Sequence, residues 1–468
     1  MDFWIKAAQL ILSLSILIVL HEFGHFIPAR LFKTRVEKFY LFFNPWFSLF
    51  RTKKVKGQRR SSWFTKDTPK DWAEEPDKTE WGLGWLPLGG YVKISGMIDE
   101  SMDKEQLAQP PQPWEFRSKK AWQRLIIMIG GVVVNLIVGI VIYILVMFSY
   151  GEEQLNPSDL SAGVSVHPYL QKYGLQSGDN ITAINGEEIY NISDINKSVL
   201  LRGGRALSVT HADGKKETIT LPEDIDYELF EKGALPIAGM RSTATTVDSV
   251  LVKSPAEDAG LIKGDKIVSI NAHPITYYDK IQSELYNSKS KKVNMVVERS
   301  GKLITLQPTV KDDGTIGFVT NQDTSHTVDY DKIKTVYYGF GESIGKGIDR
   351  GMQTLGDYAA QLKFLFTEKG ATSIGGFATI GNLFPAEWDW QRFWENTAFI
   401  SIILAFMNIL PIPALDGGHV IFLIYEIITR RPAPQKVLEY AQYVGFFLLM
   451  GLLLYANGND IFKWLFGG

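Results

Sequence analysis

Hydrophobic residues in this chain gather in four blocks, and between the second and third the pattern changes to short alternation. The blocks cover residues 7–20, 125–150, 398–410 and 444–456. A helix crossing ~30 Å of hydrocarbon needs about 20 apolar residues. Only the second block reaches that length alone. The other three reach it with their flanks, whose polar residues are tolerated when buried in protein. The pattern predicts a polytopic α-helical membrane protein with about four transmembrane helices. From Gly151 to about Thr320 the runs alternate, as in Ala206-Leu207-Ser208-Val209-Thr210 and Val293-Asn294-Met295-Val296-Val297, which predicts half-buried strands.

This strand-rich region repeats. Gly174-Leu175, Gly178-Asp179, Ile181 and Ile184-Asn185 recur as Gly260-Leu261, Gly264-Asp265, Ile267 and Ile270-Asn271, at a constant offset of 86 residues. Each copy continues with a helix-like segment and two strands joined at a turn, Asp213-Gly214 or Ser300-Gly301. Further on, Ile333, Tyr337, Phe340, Ile344, Ile348, Met352, Leu355, Ala359, Leu362 and Phe366 fall at helical spacing and predict an amphipathic helix with a packing face.

The expected segmentation is a first span over 1–25, a polar loop over 26–120 and a second span over 121–150. The two repeats follow over 151–236 and 237–320, then the amphipathic helix and its connection over 321–392. A third span with a short following helix occupies 393–436, and a fourth with the tail 437–468. Asp2 beside the lone Lys6, with no small-residue cleavage site before His21, predicts that the first span is retained. Arg30, Lys33, Arg35, Lys38, Arg51, Lys53, Lys54, Lys56, Arg59 and Arg60 assign the first loop to the cytoplasmic side. Basic residues also precede the second span (Arg117, Lys119, Lys120) and the last (Arg430, Arg431, Lys436), so both termini and the repeats are expected outside the cytoplasm.

Composition narrows the chemistry. A net charge of −2 argues against a generally basic nucleic-acid binder. The absence of cysteine removes thiolate ligands, disulfides and a thiol nucleophile, so a metal must be held by His, Asp or Glu.

His21-Glu22-Phe23-Gly24-His25 closes the first apolar block, and on a helix two histidines four residues apart share a face and can hold one Zn²⁺. Glu22 lies beside the pair, placed to take a proton from activated water. Ionisable groups at membrane depth are costly and tend to face a cavity, a partner or a metal. A catalytic zinc has three protein ligands and an open position, so one more ligand is needed. Asp416 and His419 are both candidates; they close the segment Asn408-Ile409-Leu410-Pro411-Ile412-Pro413-Ala414-Leu415-Asp416-Gly417-Gly418-His419. Two prolines break the helix there and two glycines permit an unusual path, as expected of backbone lining a cavity.

A His-Glu-x-x-His motif ending the first span, joined to Asn408-x-x-Pro-x-Pro-x-Leu-Asp416-Gly, closely resembles the site-2 protease family of intramembrane zinc metalloproteases, and the resemblance covers essentially the whole chain. The repeats resemble tandem PDZ domains, which generally bind extended peptides by adding a strand to a sheet edge. PDZ domains between the second and third spans are the arrangement of the family's bacterial sigma-E regulator type. The resemblance implies that Asp416 rather than His419 completes the zinc site, that Glu22 activates water, and that Asn408 holds substrate backbone. Residues 81–97, with Gly89, Gly90, Tyr91 and Val92, are similar to the family's membrane-re-entrant β-hairpin, whose edge holds an unwound substrate strand. Gly375-Gly376 and Asn382 resemble a loop near its third span, and Asn135 is expected to hydrogen-bond between helices or to contact substrate.

The resemblance further implies a bacterial inner membrane location, with the PDZ domains periplasmic and the centre near the cytoplasmic side. It implies single-span anti-sigma factors after a first cut, and signal-peptide remnants, as clients, with the PDZ domains selecting by size. Nucleic acid is not an expected partner, and oligomeric state is left open. Two departures stand out: Phe42-Phe43-Asn44-Pro45 replaces a glycine-rich stretch, and a basic, polar insertion runs over about 51–78. A scaffold with a structural zinc closed by a fourth ligand, and a metal transporter, are the rival readings. Intact Glu22 argues against the first, and a single compact site without a path of polar residues against the second.

Overall fold

The computed structural model describes residues 2–87, 89–97, 110–321 and 323–466. Met1, Leu88, residues 98–109, Gln322 and residues 467–468 lie outside the described residues. They include parts of the loop expected over 26–120, of the hairpin expected over 81–97, and of the tail. The chain divides into two compact units, Met1–Tyr150 with Tyr338–Ala359 and Thr372–Gly468, and Gly151–Tyr337 with Ala360–Ala371.

The first unit is built on helices α1 (Asp2–Leu31), α2 (Ala121–Tyr150), α3 (Trp390–Ile409), α4 (Asp416–Thr429) and α5 (Gln435–Phe466). Asp2 in the first turn of α1 and Arg30 in its last complement the helix dipole. By length and composition three described helices can cross a membrane, Asp2–Leu31, Ala121–Tyr150 and Gln435–Leu465. The expected third span is α3, which carries Arg392, Glu395, Asn396, Thr397, Ser401 and Asn408 and is not in that set. Two of these polar groups are answered deep inside the unit. Thr397 Oγ1 donates to Ser13 Oγ at 3.0 Å and Ser401 Oγ to the Asn135 carbonyl at 2.7 Å, so α3 serves as an interior element against α1 and α2.

Strands β1 (Val36–Leu41), β2 (Ser48–Val55), β3 (Gln58–Thr65), β4 (Glu80–Leu83) and β5 (Tyr91–Ile94) form one sheet in the order β3-β2-β4-β1-β5. Residues 81–97 therefore do not close as a hairpin. The connection carries the chain across β1, which pairs parallel with β4 (Phe39 with Trp81) and antiparallel with β5 (Phe39 with Val92). Phe39 and Trp81 pack against Phe23 and Phe26 of α1 in tilted and edge-on contacts at 4.8–6.0 Å between ring centroids, seating the sheet beside the His-Glu-x-x-His turn. Among the described residues β5 is the sheet edge.

The second unit repeats itself. A four-stranded sheet ordered 216–220, 206–210, 180–184, 187–188 is followed by one ordered 302–306, 295–299, 266–270, 273–274, each with a two-stranded partner sheet. Buried Ile181, Ile184 and Val209 in one core answer Ile267, Ile270 and Val297 in the other. The amphipathic stripe is helical only from Phe340 to Leu365. Ile333 packs on the first repeat's core and Lys334–Val336 pairs as a strand with Glu152–Gln154, so Ile333 and Tyr337 lie outside the helix.

Candidate metal centre

α1 presents His21 and His25 on one face, and Asp416 opens α4 directly after a turn in which Ala414 takes a left-handed φ of 74°. Three ligand atoms converge. His21 Nε2 and His25 Nε2 are 3.2 Å apart, and Asp416 Oδ2 lies 3.3 and 3.4 Å from them. Ligands ~2.0 Å from a tetrahedral zinc stand about 3.3 Å from one another, so the triangle has the size such an ion requires.

The hydrogen bonds decide what these atoms offer. His25 Nδ1 faces the Ile127 carbonyl at 2.8 Å; a carbonyl only accepts, so Nδ1 carries the proton and Nε2 presents a lone pair. Asn135 Nδ2 lies 3.1 Å from His21 Nδ1, while Asn135 Oδ1 is buried without a partner. Exchanging the amide oxygen and nitrogen, which are alike in size, would turn Oδ1 to the imidazole, hold the proton on Nδ1 and leave His21 Nε2 as a second lone pair, the arrangement typical of metal-ligating histidine. Asp416 Oδ2 is buried and meets no hydrogen-bond donor among the described residues. Three acceptors aimed at one point repel unless a cation lies among them, and the donor set of two imidazoles and a carboxylate fits zinc.

Close helix packing makes the site possible. Gly24 of α1 and Gly130 of α2 meet backbone to backbone. A Cβ on Gly131 would lie 2.5 Å from His25 Nε2 and 2.6 Å from His21 Cε1. Gly131 is thus a site residue that sequence reasoning missed; a glycine pair inside an uninterrupted apolar span was the available signal.

Two cavities meet at the centre. One of about 940 Å³ is lined by His21, Glu22, His25, Asp416, Phe43, Asn44 and all four residues of β5. The other, about 570 Å³ and mostly apolar, is lined by His21, Glu22, Gly89, Asn135, Gly375, Leu404 and Asn408. His21, Glu22 and Gly90 line both. Tyr91 and Val92 therefore stand on one side of the centre, and Gly89 and Asn408 on the other. His419 faces the first cavity with Nε2 at 2.7 Å from the Gln442 amide, and among the described residues it is not part of the three-ligand cluster. Asn382 accepts from Lys6 Nζ at 3.1 Å and lines neither cavity.

A sequence model of peptidase family M50 matches residues 9–63 and 67–452. The chain is similar to a putative zinc metalloprotease of Vibrio cholerae, 27% identical over 96% of this chain and 97% of the relative. It is also similar to the regulator of sigma E protease of Haemophilus influenzae, 27% identical over 99% of this chain and 100% of the relative. The regulator of sigma-E protease RseP of Escherichia coli is 27% identical over 97% of both chains.

Proposed function

The chain belongs to peptidase family M50 and is a zinc metalloprotease of the site-2 type, and from that premise we propose that it hydrolyses peptide bonds within transmembrane segments, with His21, His25 and Asp416 as zinc ligands and Glu22 as general base. The observation that carries this reading is the convergence of three acceptor atoms at 3.2–3.4 Å beside Glu22. His21, His25 and Asp416 would hold a zinc ion that would supply Lewis acidity toward the scissile carbonyl and toward water. Glu22 accepts the proton that water gives up and passes it to the departing amine.

Substrate is held extended. β5 presents the sheet edge along the cavity that contains the ligands, so an unwound segment adds to it as a further strand, with Gly90, Tyr91 and Val92 along its path. Asn408 and Gly89, on the second cavity, hold the same strand beyond the scissile bond. A transmembrane helix must unwind first, because its own backbone hydrogen bonds hide the carbonyl; pairing with β5 returns those bonds.

The clients in this reading are anti-sigma factors after a first cut and residual signal peptides in a bacterial inner membrane. The two repeats, read as periplasmic PDZ domains, select them by size. The engagement of His419 with Gln442 supports a three-ligand, open site over a structural one. The deciding experiment compares wild type and Glu22→Gln on a tagged single-span substrate in liposomes. The expected result is a loss of about 10²–10⁴-fold in cleavage with zinc content unchanged. Equal cleavage by both proteins, free of other proteases, would sink the proposal.

A further inference from the structure

The insertion at 51–78 lies at the opposite edge of the sheet from β5, and no step above uses it. Its interior nevertheless holds an ion pair. Arg51 and Glu80 are 2% and 3% exposed, with Arg51 Nη1 3.6 Å from Glu80 Oε1. Arg51 Nη2 also donates to the Thr65 carbonyl at 2.7 Å, and Thr68 Oγ1 accepts from Nη1 at 3.1 Å and lies 3.2 Å from Glu80 Oε2. Both Nη groups of Arg51 are thus bonded while its Nε is buried without a partner, and a buried charge pair held by several bonds to side chains and backbone is a fixed reference point.

From it a one-way chain of hydrogen bonds runs to the cavity. A guanidinium only donates, so Ser48 Oγ accepts from Arg51 Nη2 at 2.8 Å. The single Ser48 proton goes to Tyr40 Oη at 3.3 Å, and Tyr40 donates to Glu80 Oε1 at 2.5 Å. Burial, reinforced by Glu80, pushes the Tyr40 hydroxyl well above the usual phenol range, so it remains a donor at any working pH. With the Ser48 proton committed, Asn44 must give its amide N–H to Ser48 Oγ at 3.0 Å. Its carbonyl oxygen is thereby turned to Tyr91, whose hydroxyl donates to it at 3.0 Å. The Tyr40 and Tyr91 rings lie parallel, 5.2 Å between centroids, and Phe43 also stacks with Tyr91, at 6.4 Å. Phe43, Asn44 and Tyr91 are walls of the cavity that holds the three ligands.

We propose that Arg51 and Glu80 are positioning residues for substrate: acting through Ser48, Tyr40 and Asn44, they fix Tyr91 and the β5 edge on which the substrate strand docks. The inference rests on the reading that substrate adds to β5. It gives the insertion a role in affinity rather than in chemistry, and it explains why Asn44 stands where a glycine-rich stretch was expected.

The test is a double cycle on the full chain in liposomes with a synthetic single-span substrate, either unmodified or N-methylated on the backbone beside the scissile bond. Tyr40→Phe keeps the ring and removes only the relay. It should raise KM about five- to tenfold, with kcat within about twofold and zinc content retained, the loss expected of one directed hydrogen bond. N-methylation should weaken the wild type more than it weakens Tyr40→Phe, because both act on the same strand docking. Ser48→Ala should reproduce both effects if Tyr40→Phe folds poorly. An unchanged KM in a folded, zinc-loaded variant, a fall confined to kcat, or additive effects of the two changes would each overturn the inference. If N-methylation costs the wild type nothing, strand addition itself fails, an outcome distinct from failure of the relay alone.

Discussion

Asp265 in the second repeat and Asp416 in the helical unit both lie deep in the protein, and they differ in what meets their oxygens. Asp265 is fully buried; Arg299 donates to Oδ1 and Oδ2 at 2.7 Å each, and the Ile262 amide adds a third bond at 3.0 Å. Its partners hold its carboxyl below the usual range against the opposing effect of burial. Asp416 Oδ2 meets two imidazole nitrogens at 3.3 and 3.4 Å and no hydrogen-bond donor. A carboxylate that serves the fold is closed by protein donors, whereas one left facing other acceptors is completed by a cation. The contrast separates a structural ion pair from a working site without reference to position in the chain.

The strongest break of this comparison is Asp416→Ala. Zinc stoichiometry should fall with cleavage, the latter by more than ~10³-fold, when metal analysis and product are measured on the same sample. Asp416→Ala with full zinc content would mean that another residue closes the site. Next comes Gly131→Ala. Its new Cβ displaces both imidazoles, and zinc affinity, read by competition with a chelator, should drop about 10–100-fold while helix content is kept.

Asp265→Ala should do the converse, leaving zinc and the cleavage rate per folded molecule intact. It should cost the second repeat about 2 kcal/mol, seen as faster amide exchange over residues 237–320 in the full chain. Loss of zinc in that variant would dissolve the distinction.

The smallest effect lies between the repeats. At the position matching Asp265, Asp179 is met by His211 Nδ1 at 2.9 Å rather than by an arginine, and His211 Nε2 lies 3.1 Å from Glu217. The bonds to Asp179 and then Glu217 raise the His211 pKa above its ordinary value of 6.5. A raised folded-state pKa stabilises fully below the unfolded value and loses its effect as pH rises through the folded one. Amide exchange over residues 151–236, corrected for its intrinsic pH dependence, should therefore quicken from pH 6 to above that raised value, while residues 237–320 change less. His211→Arg should remove the difference.

Much of this centre was legible because it is local. Four residues between His21 and His25 set both imidazoles on one helical face, and the 86-residue offset of the repeats reappears as two sheets of one strand order. Strand pairing was less legible. Residues 81–97 read as a hairpin by their similarity to the family's re-entrant hairpin, yet β1 intervenes between β4 and β5 and takes both as partners. The sequence expected α3 as a third span whose polar flanks are buried in protein, and the partners of Thr397 and Ser401, which it could not name, come from α1 and α2.

By itself the sequence determined the helical pair of histidines with its glutamate, the exclusion of thiolate ligands, the apolar blocks and the duplicated module, all of which depend on spacing or composition along the chain. Only the tertiary structure decided that Asp416 Oδ2 lies within 3.4 Å of both histidines while His419 meets Gln442, that a side chain on Gly131 would collide with both imidazoles, and that hydrogen bonds through Ser48 and Asn44 link Arg51 to Tyr91. Those outcomes depend on which distant surfaces come within a few ångströms of one another, and packing sets that distance where periodicity does not.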